Sequence, residues 1–391
     1  MTSDRSLPDG WRWARFGDVV QQVKDKVDPQ TADLTRYVAG GHMDTDDLRL
    51  QRWGDVDDGY LGPAFHMRFR PGQVLYGSRR TYLRKVAVAD FEGICANTTF
   101  VLEPSSADLL PEFLPQVMST ERFHEHSVQQ SKGSVNPYIN FRDLTWYEFT
   151  LPPPSLQHEI CEVLSAGQHQ IDTLEDAIRA ARCLRDAIVL SSSDAVDHVP
   201  LGTVLSSCDY GISIAPQDAG ELPILRMNNL DNEELRLDDL KWVLDDQVSE
   251  SDLLQTGDIL FNRTNSLEHV GKVALVGVLD NPATFASYLL RLRVDKESML
   301  PEFVAAYLQS ASGQRRIRSF ITQGVSQANV NATNLKKVRI PNLDLDEQRS
   351  IVDCWQGVRD LQRAIERHCR EARSVLAAVR EDLLAGDNRV R

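Results

Sequence analysis

The 391-residue chain has no apolar run long enough to cross a bilayer: the stretch from Val273 to Leu279 is among its longest, against the roughly 20 residues a spanning helix needs. No membrane partner is expected. Its six cysteines (Cys95, Cys161, Cys183, Cys208, Cys354 and Cys369) form no C-x-x-C pair, so a zinc ribbon or dithiol redox centre is not expected and the thiols read as reduced and separate. The opening Met1 to Gly10 contains Asp4 and Asp9 and no apolar core, so it does not read as a secretory leader, and the cytoplasm is the expected compartment. An excess of positive charge is missing too. Lys and Arg number 43 against 57 Asp and Glu, a net charge of −14, which argues against indiscriminate polyanion binding and confines any nucleic-acid contact to local patches. With 42% hydrophobic and 26% charged residues the chain is an ordinary globular one, and at roughly 100 to 200 residues per domain it holds two or three units.

The chain repeats itself. Phe16-Gly17-Asp18-Val19 returns as Leu201-Gly202-Thr203-Val204, and Pro71-Gly72-Gln73-Val74-Leu75-Tyr76 returns as Thr256-Gly257-Asp258-Ile259-Leu260-Phe261, both displaced by 185 positions. Leu110-Pro111-Glu112-Phe113 returns as Leu300-Pro301-Glu302-Phe303 at 190, and Gly133, Asn140 and Leu144 match Gly324, Asn331 and Leu335 at 191. Loop insertions produce such a drift, so the halves read as one duplicated unit. The front part of each, residues 1–150 and 199–343, mixes short β-type runs (Lys85 to Ala89, Thr98 to Leu102, Lys272 to Val276, Tyr288 to Val294) with Gly and Pro turns and a few helical stretches. It reads as α+β.

Behind each front part, after Leu151-Pro152-Pro153-Pro154 and Ile340-Pro341-Asn342, a helical periodicity sets in. In the first, residues 151–198, the apolar seam runs through Ile160, Leu164, Gly167, Ile171, Leu174, Ile178, Ala181, Arg185 and Ile188. In the second, residues 344–391, it runs through Ile351, Trp355, Val358, Gln362, Ile365, Cys369, Ala372, Leu376, Val379 and Leu383, with Ile160 matching Ile351 at 191. Alternating spacings of four and three make a coiled-coil seam. One amphipathic helix would best be read as packing on its own domain, but two stripes matched in phase favour mutual pairing, antiparallel because one connects the domains and the other follows the second. A seam of this length, at 1.5 Å per residue, is roughly 50 Å long, or about 15 base pairs.

Positive charge is concentrated although no segment is basic as a whole. Gly59 to Ala89 holds Arg68, Arg70, Arg79, Arg80, Arg84 and Lys85 and no Asp or Glu, and Phe303 to Leu343 holds Arg315, Arg316, Arg318, Lys336, Lys337 and Arg339 and again no Asp or Glu. Such stretches in an acidic chain suggest local anion-binding faces, the alternative being ion pairs with acids elsewhere. The loop Ser78, Arg79, Arg80, Tyr82, Arg84, Lys85 and its counterpart Asn262, Arg263, Thr264, Asn265 with Lys272 carry side chains suited to groove reading: arginine is bidentate to guanine, asparagine to adenine, and Ser, Thr and Lys hold phosphates. A second pair of loops, Lys132, Ser134 and Asn136 against Gln323, Ser326 and Gln327, contains a glycine that would let backbone approach a partner. In either pair a plain polar turn is the competing reading.

Catalytic motifs fail on inspection. Asn136-Pro137-Tyr138 lacks the second proline of an adenine methyltransferase Asn-Pro-Pro-Tyr, His158-Glu159-Ile160-Cys161-Glu162 lacks the second histidine of H-E-x-x-H, and Gly271-Lys272-Val273 lacks the rest of a phosphate-binding loop. His124 and His126 read as surface residues of a helix, and no metal is expected.

The opening Leu7-Pro8-Asp9-Gly10-Trp11, the Val74-Leu75-Tyr76-Gly77 run with its arginine-rich loop, Gly324 to Leu335 with Ile340-Pro341, and Glu347-Gln348-Arg349 resemble the DNA specificity subunit of type I restriction-modification systems. The likeness covers nearly the whole chain. It departs at the first copy of the Glu-Gln pair, where Gln157-His158-Glu159 stands. The resemblance implies two homologous α+β target recognition domains separated by two long antiparallel coiled-coil helices in a pseudo-two-fold repeat. Each domain would read one half of an asymmetric, bipartite double-stranded DNA site, and the helices would set the spacer and dock type I methyltransferase subunits, with the type I restriction and translocase subunit joining. On this reading the chain is not an enzyme and holds no cofactor, S-adenosylmethionine, Mg and ATP belonging to the partners. A coiled-coil scaffold and a stand-alone DNA-binding regulator are the rival expectations.

Overall fold

The structure is a computed structural model that describes residues 7–59, 61–191, 196–231, 233–324 and 327–385. It separates into two compact units, Met1–Thr173 with His368–Arg391, and Leu174–Arg367. Each contains one α+β repeat and part of both long helices.

In the first unit a four-stranded sheet has the order Val20–Val23, Thr99–Pro104, Val74–Gly77, Val86–Val88; in the second the order is Leu205–Tyr210, Leu289–Val294, Ile259–Asn262, Val273–Leu275. All pairs in both sheets are antiparallel. A second sheet is built around a parallel pair, Arg36–Val38 with Gly93–Ala96 in one unit and Leu222–Leu225 with Thr284–Phe285 in the other. The first unit adds Phe65–Phe69 at its edge. The four-stranded sheet and the parallel pair of the expected repeat therefore recur in both units. These strands are apolar on both faces, as Val74, Leu75, Tyr76 and Ile259, Leu260, Phe261 are all at most 1% exposed, because the short helices Leu114–Met118 and Pro301–Gln309 cover what solvent would otherwise reach.

The long helices are Pro154–Ser191 and Leu345–Leu384. Every residue of the two expected seams is buried or half-buried. In the first unit Gly167 lies against the Leu376 side chain, and the Thr150 hydroxyl donates to the Leu384 carbonyl at 2.7 Å. In the second, Arg185 donates to Gln362 at 2.9 Å and Arg182 reaches Glu366 at 3.4 Å, so the segments run antiparallel there. The seam's polar members, Arg185 and Gln362, thus partner one another, and the Arg185 guanidinium also lies 4.4 Å over the Trp355 ring and pairs with Glu233. Among the described residues no helix is long and apolar enough to cross a membrane.

One buried side chain ties each helix to its domain. Gln157 is fully buried; its Oε1 accepts from the Leu110 amide at 2.8 Å and its Nε2 donates to the Pro152 carbonyl at 2.8 Å. Gln348, also fully buried, accepts from the Leu300 amide at 2.8 Å and donates to the Leu343 carbonyl at 2.8 Å. The departure at Gln157-His158-Glu159 is consequently smaller than the sequence suggests. The glutamine of the pair is kept, and only its acidic neighbour is replaced, by Leu156.

Candidate nucleic-acid interface

The two loops singled out in each repeat meet. In the first unit Arg79 and Lys132 both form antiparallel bridges to Tyr138, the Arg80 amide donates to the Pro137 carbonyl at 2.6 Å, and the Thr81 and Ser131 hydroxyls are 2.7 Å apart. In the second unit Thr264–Asn265 pairs with Ala328–Asn329, which pairs with Thr322–Gln323; Asn329 Nδ2 donates to Thr264 Oγ1 at 2.6 Å. Counting from the strands, Arg79 matches Thr264, and Tyr138 matches Asn329. The backbone at Ile139 donates to Ser78 and that at Val330 to Arg263, each at 2.9 Å, so both units zip the same two loops at the same place.

What projects from the zipped loops differs. In the first unit Arg79, Arg80, Tyr82, Lys132, Ser134 and Asn136 are exposed. Arg79 lies 6.0 Å over the Tyr138 ring, and Arg80 has no acidic partner among the described residues. Arg80 and Arg84 both take the left-handed conformation, with φ of 49°, on either side of the short turn Thr81–Leu83. That conformation is uncommon for residues other than glycine and holds only where the surroundings enforce it. Here Thr45 Oγ1 donates to the Leu83 carbonyl at 3.0 Å and Arg84 pairs with Glu121 at 2.5 Å. In the second unit Gln323 and Gln327 are exposed and Asn265 half-exposed, so the amides of Asn265 and Gln323 stand where the first unit has the cations of Arg80 and Lys132.

Several expected contacts are corrected. Ser78 is 5% exposed and its hydroxyl donates to the Thr98 carbonyl at 2.7 Å; Asn262, at the end of its strand, is fully enclosed. Thr264 is 8% exposed, its hydroxyl taken by Asn329. None of the three faces outward. Lys132 keeps an exposed side chain but is held by the buried Asp143 carboxylate at 2.8 Å, a bond that keeps that carboxyl below the usual range. Lys85 reaches the Gly40 carbonyl, and burial with Arg80 nearby lowers its pKa. Lys272 faces Asp231 at 3.9 Å, and Arg263 packs 4.9 Å over the Tyr210 ring. Ser326 lies outside the described residues. The acid-free stretch from Gly59 to Ala89 is not free of acids in space: Arg68 and Arg70 meet Glu92 and Asp25. Nor is His124 a surface residue. It is 3% exposed, and burial pushes its pKa down to about 4, helped by the charge of Arg84.

Sequence reasoning did not single out Tyr138 and Asn329, the residues at which the loops join. Their signal was the displacement of 191 already found for the glycines and asparagines beside them.

The α+β unit is duplicated with equivalent, differently tipped loops, and no group of His, Cys, Asp and Glu suited to a metal occurs among the described residues. Residues 209–371 match the family model described as the type I restriction modification DNA specificity domain, and the chain resembles the specificity subunits of type I restriction-modification systems. Among curated proteins it is 27% identical over 176 residues to the type I restriction enzyme EcoDI specificity subunit of Escherichia coli, across 45% of this chain and 39% of that one. It is 26% identical over 190 residues to the EcoKI specificity subunit of Escherichia coli strain K12, across 47% and 40%, and 33% identical over 134 residues to the putative MjaX specificity subunit of Methanocaldococcus jannaschii, across 33% and 31%. The matched stretch thus spans about two fifths of the length of the first of these relatives. The fold extends further. A chain from a structure titled for complex assembly and conformational transition of the type I R-M system aligns over 98% of this chain and 100% of its own, with TM-score 0.60 and 18% identity, and the type I restriction-modification S subunit from M. genitalium aligns over 99% and 97%, with TM-score 0.51 and 14% identity.

Proposed function

We propose that the chain is the DNA specificity subunit of a type I restriction-modification complex in the cytoplasm, and that it recognises DNA without catalysing a reaction. Each unit reads one half of a bipartite site through its zipped loop pair. The observation that carries this reading is the recurrence of that loop pair on matching strands with different side chains at the tip: a shared scaffold accounts for two recognition heads, and different tips account for two different half-sites. In the first unit Arg79, Arg80, Ser134 and Asn136 face the duplex, with arginine suited to guanine and to phosphate. In the second, Asn265, Gln323 and Gln327 do so, amides suited to adenine. The motif is therefore asymmetric.

The long helices dock methyltransferase subunits that methylate adenine, and the restriction and translocase subunit joins them; S-adenosylmethionine, Mg and ATP are held by those partners. Helix length sets the non-specific spacer, because an α-helix rises about 1.5 Å per residue. Long-read mapping of methylated adenines in cells expressing the chain with its methyltransferase, beside cells lacking the chain, tests this. A split, asymmetric motif that depends on the chain is the expected result. An active methyltransferase that gains no motif from the chain overturns it in favour of a scaffold, and tight site-specific binding by the chain alone favours a stand-alone regulator.

A further inference from the structure

Three residues beyond the zipped position, each unit holds up a large apolar side chain. In the first unit it is Tyr82, three residues after Arg79; in the second it is Leu267, three after Thr264. Tyr82 is 53% exposed and Leu267 56%. Single exposed apolar residues are common and ordinarily call for no explanation. This pair differs because the position recurs at the tip of both loops although the flanking residues do not: Arg80-Thr81-Tyr82-Leu83-Arg84 stands against Asn265-Ser266-Leu267-Glu268-His269.

The loops also hold these tips firmly. Around Tyr82, the buried Thr81 is bonded to Ser131, Leu83 and Arg84 donate back to Arg80 and Thr81 at 2.8 and 3.0 Å, and two left-handed arginines bracket the turn. Around Leu267, the His269 and Val270 amides both donate to the Ser266 carbonyl, at 3.0 and 2.9 Å. Each apex side chain is more than half exposed, and both backbones are hydrogen-bonded within their turns. A rigid turn that lifts an apolar group out of an otherwise polar tip suits insertion between stacked bases, where an apolar wedge replaces part of the stacking it disrupts.

We propose that Tyr82 and Leu267 are base-step wedges, each entering the duplex at its own half-site and unstacking one step beside the bases that the neighbouring polar side chains read. The proposal rests on the DNA-reading role above. Tyrosine stacks on a base through its ring and leucine only fills the opened step, so the first wedge is the stronger of the two.

The test uses the full chain assembled with its methyltransferase subunits and duplexes of the mapped sequence carrying 2-aminopurine at successive positions other than the methylated adenine. Binding is measured separately by fluorescence anisotropy. With the unaltered chain, one position in each half-site brightens several-fold. Tyr82→Ala abolishes the rise in the first half-site alone and weakens specific binding about tenfold, Leu267→Ala abolishes it in the second, and Tyr82→Leu restores much of it. Specific binding with no brightening, or brightening that survives both alanine substitutions, overturns the wedge and leaves the recognition role standing. Absence of sequence-specific binding by the unaltered complex removes the recognition role and the wedge together.

Discussion

The two units hold their four-stranded sheets in the same strand order, and their zipped loops close on one another through equivalent backbone positions, yet the first presents Arg80 and Lys132 where the second presents Asn265 and Gln323. Buried residues with a geometric task are kept: Gln157 and Gln348 make the same bonds. Residues exposed at the loop tips are not. After duplication, a scaffold is constrained by its own unsatisfied amides and carbonyls, whereas an exposed tip answers only to what it touches. The two copies have diverged where divergence costs no folding energy.

The largest test of that contrast is on the scaffold. Gln157→Ala leaves the Leu110 amide and the Pro152 carbonyl buried without their partner, and Gln348→Ala does the same to Leu300 and Leu343. Each is expected to cost about 4 kcal/mol, from several lost bonds and stranded polar groups. Denaturant titration followed by hydrogen exchange resolved for each unit should show equal losses, each confined to its own unit. A loss at one site and none at the other would break the equivalence.

Acid should separate the units next. His124 occupies the place that Gln314 takes in the second repeat, 190 positions on. Its folded pKa is about 4 against an ordinary value of 6.5, so between those pH values the unfolded chain binds a proton that the folded one does not. Stability then rises with pH through that window, and the first unit loses up to about 3 kcal/mol between pH 7 and pH 4. Asp46, 3.8 Å from the imidazole, has its pKa raised by burial and opposes part of this. Gln314, which bonds the Gly271 and Leu308 carbonyls at 2.9 and 2.7 Å, does not titrate. Hydrogen exchange against pH should show the first unit loosening before the second, and His124→Gln should flatten the difference.

How legible this was in the sequence depends on range. The repeat, the strand runs and the helical seam rest on local periodicity, and the structure keeps them to within a residue or two: Lys272 to Val276 becomes Val273–Leu275, and Thr98 to Leu102 becomes Thr99–Pro104. What escaped were contacts between residues far apart. An acid-free stretch says nothing of Glu92 or Glu121, which fold back onto Arg68 and Arg84. Burial of Ser78 and Asn262 follows from where the strand ends, and composition places a strand's last residue poorly. The exposed arginines, by contrast, were found because their loop follows an apolar run and precedes another.

Charge at the tips supplies a smaller but more selective effect. Arg79→Ala and Arg80→Ala are each expected to weaken specific duplex binding about tenfold and to lower the steepness of its salt dependence, since each guanidinium displaces a counterion or fixes a guanine. Asn265→Ala and Gln323→Ala should relax base preference in the other half-site and leave the salt dependence as it was. Titrations at several salt concentrations with each half-site altered in turn would separate the two. A common salt response in both sets would mean that the units read DNA by the same chemistry.

The smallest effect belongs to Lys132, which by residue type should behave like its arginine neighbours. Its ammonium is 2.8 Å from the buried Asp143 carboxylate, which also accepts from Asn140 Nδ2 at 3.1 Å and keeps its pKa below the usual range because Lys132 is there. That carboxylate stays charged down to a lower pH than usual, so the bond is present at neutral pH and is lost as acid protonates Asp143. A lysine engaged in this way holds the hairpin in place and has little left to offer a phosphate. Lys132→Ala should therefore cost about 1 kcal/mol of stability, since half of the pair is exposed and Asn140 still bonds the carboxylate, while the salt dependence of duplex binding stays unchanged. If the salt slope fell as it does for Arg80→Ala, Lys132 would leave Asp143 when DNA arrives, and the cationic face of the first unit would be one residue larger than its free structure presents.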